Sequence, residues 1–273
     1  MKKFKLSVLC AAMMMVLGFT SCLDSDNSGT RGGYGAEFVK VENFMGSRTL
    51  INEYGSRMRP VNASQVTSWP TTEFSYVVYS FESEALADTA STIMDVTLMQ
   101  LAQVNDGQVQ ARVPAEGDAN APVAGFATDD GSVAFFQLND MFLSFYCFIR
   151  NVDSDESIAE LNKHQFSLYY DPETDFTASS LKFYLRHKVT DLEEDDTFNR
   201  STGVLVHFNM AAAFAQYKQM FDKEPGRIII SYEQNTANGS YSDNMVSERT
   251  YEFDYDDLQD IKNYKQWLEQ YGK

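Results

Sequence analysis

The chain is poor in cysteine, histidine, tryptophan and base. Its 273 residues include 3 Cys, 3 His, 2 Trp and 6 Pro, and 22 basic residues stand against 39 acidic ones, for a formal net charge of −17. With so few cysteines a disulfide scaffold is excluded. The missing base argues against nucleic acid as a partner, because phosphate binding needs clustered Lys and Arg. Arg57 and Arg59 make only a small basic spot. Common catalytic signatures are also missing: no Gly-x-Ser-x-Gly, no His-Glu-x-x-His, no Cys-x-x-Cys and no Gly-x-x-x-x-Gly-Lys. The chain does have 44% hydrophobic and 14% aromatic residues, enough for a sizeable core. The length suits one large domain or two ordinary ones.

The N-terminus carries an address. Lys2, Lys3 and Lys5 precede an apolar run from Leu6 to Phe19, which is too short for a comfortable membrane span. Phe19-Thr20-Ser21-Cys22 comes next, and this resembles a bacterial lipobox, with Phe19 where Leu is commoner. The resemblance implies a diacylglyceryl thioether on Cys22, cleavage before it and usually acylation of the new amine. More than one chain matters, because a single acyl chain binds a bilayer only marginally. The expected partner is therefore a membrane, held through lipid on Cys22. The expected location is the outer membrane, at its periplasmic face or the cell surface. Asp24 and Asp26 after Cys22 read equally as a surface-export signal or a solvated tether. Cys147 lies in the apolar run Met141–Ile149 and reads as an inert small hydrophobe.

Residues 1–21 are thus set aside as a lipoprotein signal peptide, and 22–36, rich in Gly, Ser and Thr, read as a flexible tether. Beyond them lie five short runs: Phe38–Val41, Thr49–Ile51, Arg57–Val61, Phe74–Phe81 and a less regular run over 92–104. Asn52–Ser56 reads as a turn. Without long helices between them, these runs suggest a small closed barrel over 37–108. Pro114, Pro122 and many small residues make 109–127 a linker or long loop. Residues 128–273 carry seven strand candidates, over 132–137, 142–150, 165–170, 181–188, 204–208, 227–232 and 250–255, and this reads as an antiparallel sandwich. Asn209 is placed to cap a short helix over 210–217, and Asp257 to cap a C-terminal helix whose stripe is Leu258, Ile261, Trp267 and Leu268. The fold class is all-β: a small OB-like barrel, an antiparallel β-sandwich and a short C-terminal helix.

The order lipobox, barrel bearing Leu50-Ile-Asn-Glu-Tyr-Gly-Ser-Arg-Met-Arg-Pro60, then sandwich bearing Leu181-Lys-Phe-Tyr-Leu-Arg-His187 resembles the NigD-like lipoproteins. The resemblance implies an N-terminal OB-like domain and a C-terminal β-sandwich over nearly the whole mature chain. It brings no catalytic residues to carry over.

No catalytic, cofactor or metal residue is assigned from sequence, and no cofactor is expected. His187 and His207, one hairpin apart, could meet across strands with a carboxylate and hold a metal, but ordinary strand histidines are the preferred reading. The acidic runs Asp191–Asp196 and Asp153–Glu156 read as solvated tips rather than calcium loops. Trp69, Tyr76, Tyr79, Tyr232 and Tyr241 are candidate sugar platforms, although an aromatic strand face is more often packing. Trp69, beside Pro70 in an expected loop, is the one chosen as a ligand contact. The leading expectation is a non-enzymatic envelope protein that offers loops to an unknown protein or glycan partner. A glycan-binding module for polysaccharide capture, a hydrolase on the sandwich and a structural subunit of a surface assembly are the alternatives.

Overall fold

The computed structural model describes residues 32–44, 47–66, 69–82, 93–126, 130–150, 157–192, 198–235 and 246–272. Cys22 and its surroundings therefore lie outside the described residues. The chain divides into two compact units. One runs up to Asn105 and takes in the last residues from Gln266, and the other is Asp106–Lys265.

In the first unit, β1 (Gly32–Phe44), β2 (Ser47–Ile51), β3 (Arg57–Pro60), β4 (Phe74–Glu82) and β5 (Ile93–Gln103) close into a barrel in the order β1-β2-β3-β5-β4. All ladders are antiparallel except β3 with β5. Successive side chains alternate across a strand, so Val39, Leu50, Met58, Val77, Tyr79, Val96 and Leu98 meet in one core. A bulge in the β4/β5 ladder at Val78/Tyr79 resets that alternation. The turn between β2 and β3 is built as its sequence suggests. Asn52 Oδ1 accepts from Tyr54 N at 3.1 Å and Ser56 N at 2.9 Å.

The barrel begins earlier than sequence suggests. Gly32–Ala36, within the segment read as tether, pairs with β4 from Glu82 to Val78. The glycines are seats for rings. Gly33 lies opposite Phe81 and Gly35 opposite Tyr79, and a Cβ on either glycine would overlap the facing aromatic ring. An aromatic ring laid over a cross-strand glycine restores the packing that the missing side chain forfeits.

In the second unit all seven expected strands form. They are β9 (Val133–Phe136), β10 (Asp140–Arg150), β11 (His164–Tyr170), β12 (Ser180–Val189), β13 (Phe198–Asn209), β14 (Arg227–Asn235) and β15 (Val246–Asp254). Three further strands join them: β6 (Asn105–Asp106), β7 (Gln108–Ala111) and β8 (Val123–Phe126). The ten-stranded sheet runs β6-β13-β10-β8-β14-β12-β11-β7, with β9 on β10 and β15 on β14. Its halves share one core. Met141, Leu143, Phe145, Cys147 and Ile149 of β10 join Phe166, Leu168 and Tyr170 of β11 and Leu181, Phe183 and Leu185 of β12. Phe145 meets Phe166 edge-to-face at 5.1 Å. Beyond the antiparallel ladders expected, β7 with β11, β8 with β14 and β12 with β14 pair in parallel. Cys147 is fully buried in this core.

Residues 109–127 are consequently not a plain linker. β7 and β8 bracket a strap that is stitched down. Arg112 pairs with both Asp118 oxygens at 2.7 and 2.8 Å, Ala115 N donates to Asp118, and the Arg112 guanidinium sits 4.5 Å above Tyr169. Asn120 mimics a backbone strand, with Nδ2 donating to Val189 O at 2.8 Å and Oδ1 accepting from Val189 N at 2.7 Å.

Helix α1 is Ser157–Leu161, α2 Ala211–Phe221 and α3 Gln259–Tyr271. Asn209 Oδ1 accepts from Ala211 N at 3.1 Å, so the expected residue does serve the start of α2, although Met210 is the cap position. α2 buries Ala213, Phe214 and Tyr217. Asp257 lies in a 3₁₀ turn ahead of α3 rather than at its cap, and binds Lys262 at 2.9 Å. Ile261 is fully buried in the core.

The ring seats give a direct test. Gly35→Ala forces a methyl into the Tyr79 ring. It should destabilise the barrel by about 1–3 kcal/mol, the usual cost of overpacking, in urea unfolding followed by tyrosine fluorescence. An unchanged midpoint would refute the seat.

Candidate functional site

Three buried polar clusters stand out, two of them in the second unit. β11 and β12 pair His164 with Val189 and Phe166 with His187, which sets the two histidines diagonally on one face. Their rings stack with centroids 5.0 Å apart, and His164 Nδ1 lies 2.9 Å from His187 Nε2. His187 Nδ1 is 3.3 Å from Pro122 O, at the end of the strap. A carbonyl only accepts, so this contact places the hydrogen on His187 Nδ1 and leaves Nε2 to accept from His164 Nδ1. His164 Nε2 then faces Glu160 Oε1 of α1 at 3.6 Å, beyond hydrogen-bond length.

Glu160 is itself buried, with Arg150 and Lys163 each 3.5 Å from its Oε2. Both cations also reach Asp191, each at 3.0 Å. That pairing holds the Asp191 carboxyl below the ordinary range. Burial lowers the affinity of both histidines for protons. His187 falls to about 3, through burial first and then the neighbouring His164, with the Pro122 carbonyl opposing. For His164 burial again dominates, opposed chiefly by Glu160.

The second cluster is His207 on β13. Its Nε2 lies 2.9 Å from Asp140 Oδ1 and its Nδ1 3.5 Å from Asp106 Oδ1. Asn209 Nδ2 is 3.4 Å from the same Asp140 oxygen. Both ring nitrogens face carboxylates of the protein's own sheet.

The third is inside the barrel. Glu37 accepts from the Tyr79 hydroxyl at 2.5 Å and also from the Asn52 side chain. Burial raises the Glu37 carboxyl, with those two hydrogen bonds opposing. Burial followed by the Glu37 charge pushes the Tyr79 hydroxyl far up. Asn52 thereby joins the β2–β3 turn to the barrel interior.

Several sequence expectations are corrected by this geometry. His187 and His207 are not cross-strand neighbours: β12 pairs His187 with Phe166, and β13 pairs His207 with Phe142. The partner of His187 is His164, which sequence spacing did not single out. Among the described residues no group of three or more His, Cys, Asp or Glu is arranged to hold a metal. Tyr76, Tyr79 and Tyr232 are buried, so they are packing rather than exposed sugar platforms. Tyr241, the run Asp153–Glu156 and residues 193–196 lie outside the described residues. Trp69 is half-buried against the barrel core, with the Arg48 guanidinium 4.6 Å from its ring centroid. Arg59 is neutralised by Asp95 through contacts of 2.7 and 2.8 Å, and Arg57 lies 3.8 Å from Glu42. Glu37 and Glu160 carried no sequence signal, since nothing distinguishes a buried acid among 39 until its neighbours are known.

The sequence matches no protein-family model and no curated protein. Solved structures are similar. A protein from Bacteroides fragilis described as a candidate lipoprotein shares 24% identity at a TM-score of 0.62, over 81% of this chain and 98% of its own. A protein of unknown function from Bacteroides vulgatus shares 15% identity at a TM-score of 0.50, over 83% of this chain and 92% of its own. A NigD-like immunity protein from Bacteroides caccae shares 16% identity at a TM-score of 0.46, over 81% of this chain and 96% of its own. The first two show the fold.

The histidine pair makes a pH prediction. A histidine whose folded value is depressed binds fewer protons than its unfolded counterpart, so its contribution to stability is full above about 6.5 and is lost as pH falls toward 3. His187 should cost on the order of 2 kcal/mol by pH 5. Glu37 and Asp260, whose values are raised, act in the opposite sense at acid pH. The readout is therefore the difference between the parent chain and His187→Gln in urea unfolding at pH 7.5 and 5. The parent should lose more stability than the variant, and parallel losses would refute the assignment.

Proposed function

We propose that this chain is a non-enzymatic, lipid-anchored envelope protein of the NigD-like kind, held at the outer membrane through Cys22 and offering its β-domain loops to a protein or glycan partner. The observation that carries the reading is the sequence Phe19-Thr20-Ser21-Cys22 behind a lysine-led apolar run. The similar fold of a Bacteroides fragilis protein described as a candidate lipoprotein supports it. No helix among the described residues is long and apolar enough to cross a membrane, which accords with attachment by lipid.

The side-chain clusters support a binding role rather than a catalytic one. General acid–base work needs a ring nitrogen or carboxyl within reach of a substrate proton. His187 lies between His164 and a backbone carbonyl, and His207 between Asp140 and Asp106. Their ring nitrogens are turned to groups of the protein itself. Binding in turn falls to the loops that a rigid β scaffold carries. The acidic charge keeps such a protein soluble and disfavours polyanionic ligands.

Attachment is tested by growing cells with labelled palmitate. The parent chain should take up label and give an acylated N-terminal peptide beginning at Cys22 by mass spectrometry, whereas Cys22→Ser should do neither. An unmodified Cys22, or a mature chain retaining Met1, would refute attachment. For the partner, pull-down of the lipidated protein from envelope extracts should recover a stoichiometric neighbour, and a glycan array reads the sugar alternative. Loss of an array signal in Trp69→Ala would favour glycan capture.

A further inference from the structure

The outer surface of the barrel carries a band without charge. The core residues of each barrel strand alternate with outward ones, and the ladders place the outward residues in rows. Tyr34 of β1 lies opposite Ser80 of β4, which lies opposite Thr97 of β5. Val61, whose N–H donates to Val96 O, extends this row from the end of β3. The next row is Ala36 and Val78, with Met99 at the bulge. Tyr34 is 73% exposed, Val61 58% and Met99 61%. None of these residues is charged, in a chain of which 22% is. At one margin the band meets Glu82 of β4, which faces Gly32, and the ion pair of Arg59 with Asp95.

We infer that this band rests on the lipid surface to which Cys22 is attached. The inference deepens the proposed function and rests on lipid attachment at Cys22. Residues 23–31 are all that separates Cys22 from the first strand, so Gly32 lies no more than about 35 Å along an extended chain from the anchored sulfur. Tyr34, at the head of that strand, belongs to the band. Tyrosine favours the water–hydrocarbon boundary, where its ring and hydroxyl are both accommodated. An uncharged face avoids the penalty of pressing ionised groups toward hydrocarbon. The anchor also raises the local concentration of bilayer, so a contact too weak to recruit the free protein suffices once the chain is tethered.

The test imposes the anchor chemically. The chain from Cys22 to Lys273 is coupled through the Cys22 thiol to maleimide phosphatidylethanolamine in phosphatidylcholine–phosphatidylethanolamine vesicles whose acyl chains carry bromine. Cys147, fully buried, is shielded from the reagent. Tryptophan is introduced singly as Tyr34→Trp, Met99→Trp or, as an exposed control in the other unit, Val113→Trp. The parent chain supplies the background from Trp69 and Trp267, and thermal melts confirm that each variant is folded. Tryptophan at 34 and at 99 should each be quenched about threefold more strongly than at 113. Equal quenching at all three positions, or quenching at only one of 34 and 99, would overturn the inference and leave the band to a protein surface. Because the coupling does not depend on cellular lipidation, failure here is distinct from failure of the palmitate experiment.

Discussion

The strict alternation of side chains along β10 and its partner strands is the constraint on which the larger unit depends. Met141, Leu143, Phe145, Cys147 and Ile149 take one face of β10, and Val204, Val206 and Phe208 take the matching face of β13. A slip of one residue in that ladder would turn this set away from the core and bring Phe142, Ser144, Tyr146, Phe148, Leu205 and His207 toward it. The register is therefore held by the cost of placing Ser144 and His207 in that apolar core, and the remaining strands inherit it. Phe145 against Phe166 then fixes the depth at which the opposite half of the sheet packs. A Bacteroides fragilis protein of 24% identity shares the fold, which accords with alternation constraining residue class far more than residue identity.

The polar clusters are a consequence of the same register. His164 and His187 stand on the same pair of strands as Phe166 and Leu185, and they are buried because the strands are. Burying two imidazoles in contact is tolerable only when they stay uncharged and hydrogen-bonded. The Pro122 carbonyl and the His164–His187 contact meet that requirement for three of the four ring nitrogens, while His164 Nε2 faces Glu160 Oε1 at 3.6 Å without a hydrogen bond. The Pro122 carbonyl is available because the strap is pinned by Asn120 to Val189 and by Lys188 to Gly117 O at 3.0 Å. The cluster ties α1, β11, β12 and the strap into one arrangement. It reads as a structural joint rather than a reaction centre, since its dipoles are turned on one another.

The sequence displayed its main strands because β-branched and aromatic runs have a physical signature in a pleated, half-buried surface. All seven expected strands of the second unit and five of the barrel are present. The features it concealed are of three kinds. Gly33 and Gly35 looked like spacer residues, because a glycine under an aromatic ring is identical in sequence to a glycine in a linker, and only the β1/β4 register separates them. β7 and β8 were obscured by Pro114, Pro122 and small residues, since β7 draws its stability from a parallel partner more than fifty residues away and β8 is a four-residue strand held between β10 and β14. The partnership of His187 depended on knowing that β11 lies beside β12, whereas spacing along the chain pointed to His207. Trp69 was legible as a loop-side aromatic, but Arg48 over its ring was not.

The placement of charge bears on function as directly as the placement of apolar side chains. An excess of acid suggests a single attractive field, yet the described carboxylates are extensively committed to local work. Asp95 neutralises Arg59, Asp118 pins the strap through Arg112, Asp191 and Glu160 share Arg150 and Lys163, and Glu224 and Asp256 hold Lys265. Much of the base in the chain is used in the same way, so the surplus acid is spread as a solvating field rather than gathered into one pocket. Against that background the outward band from Tyr34 to Val61 is set apart by having no charge at all. A polypeptide that keeps its acids for solubility and its few bases for internal ties has little need of an uncharged outer face unless something other than water lies against it.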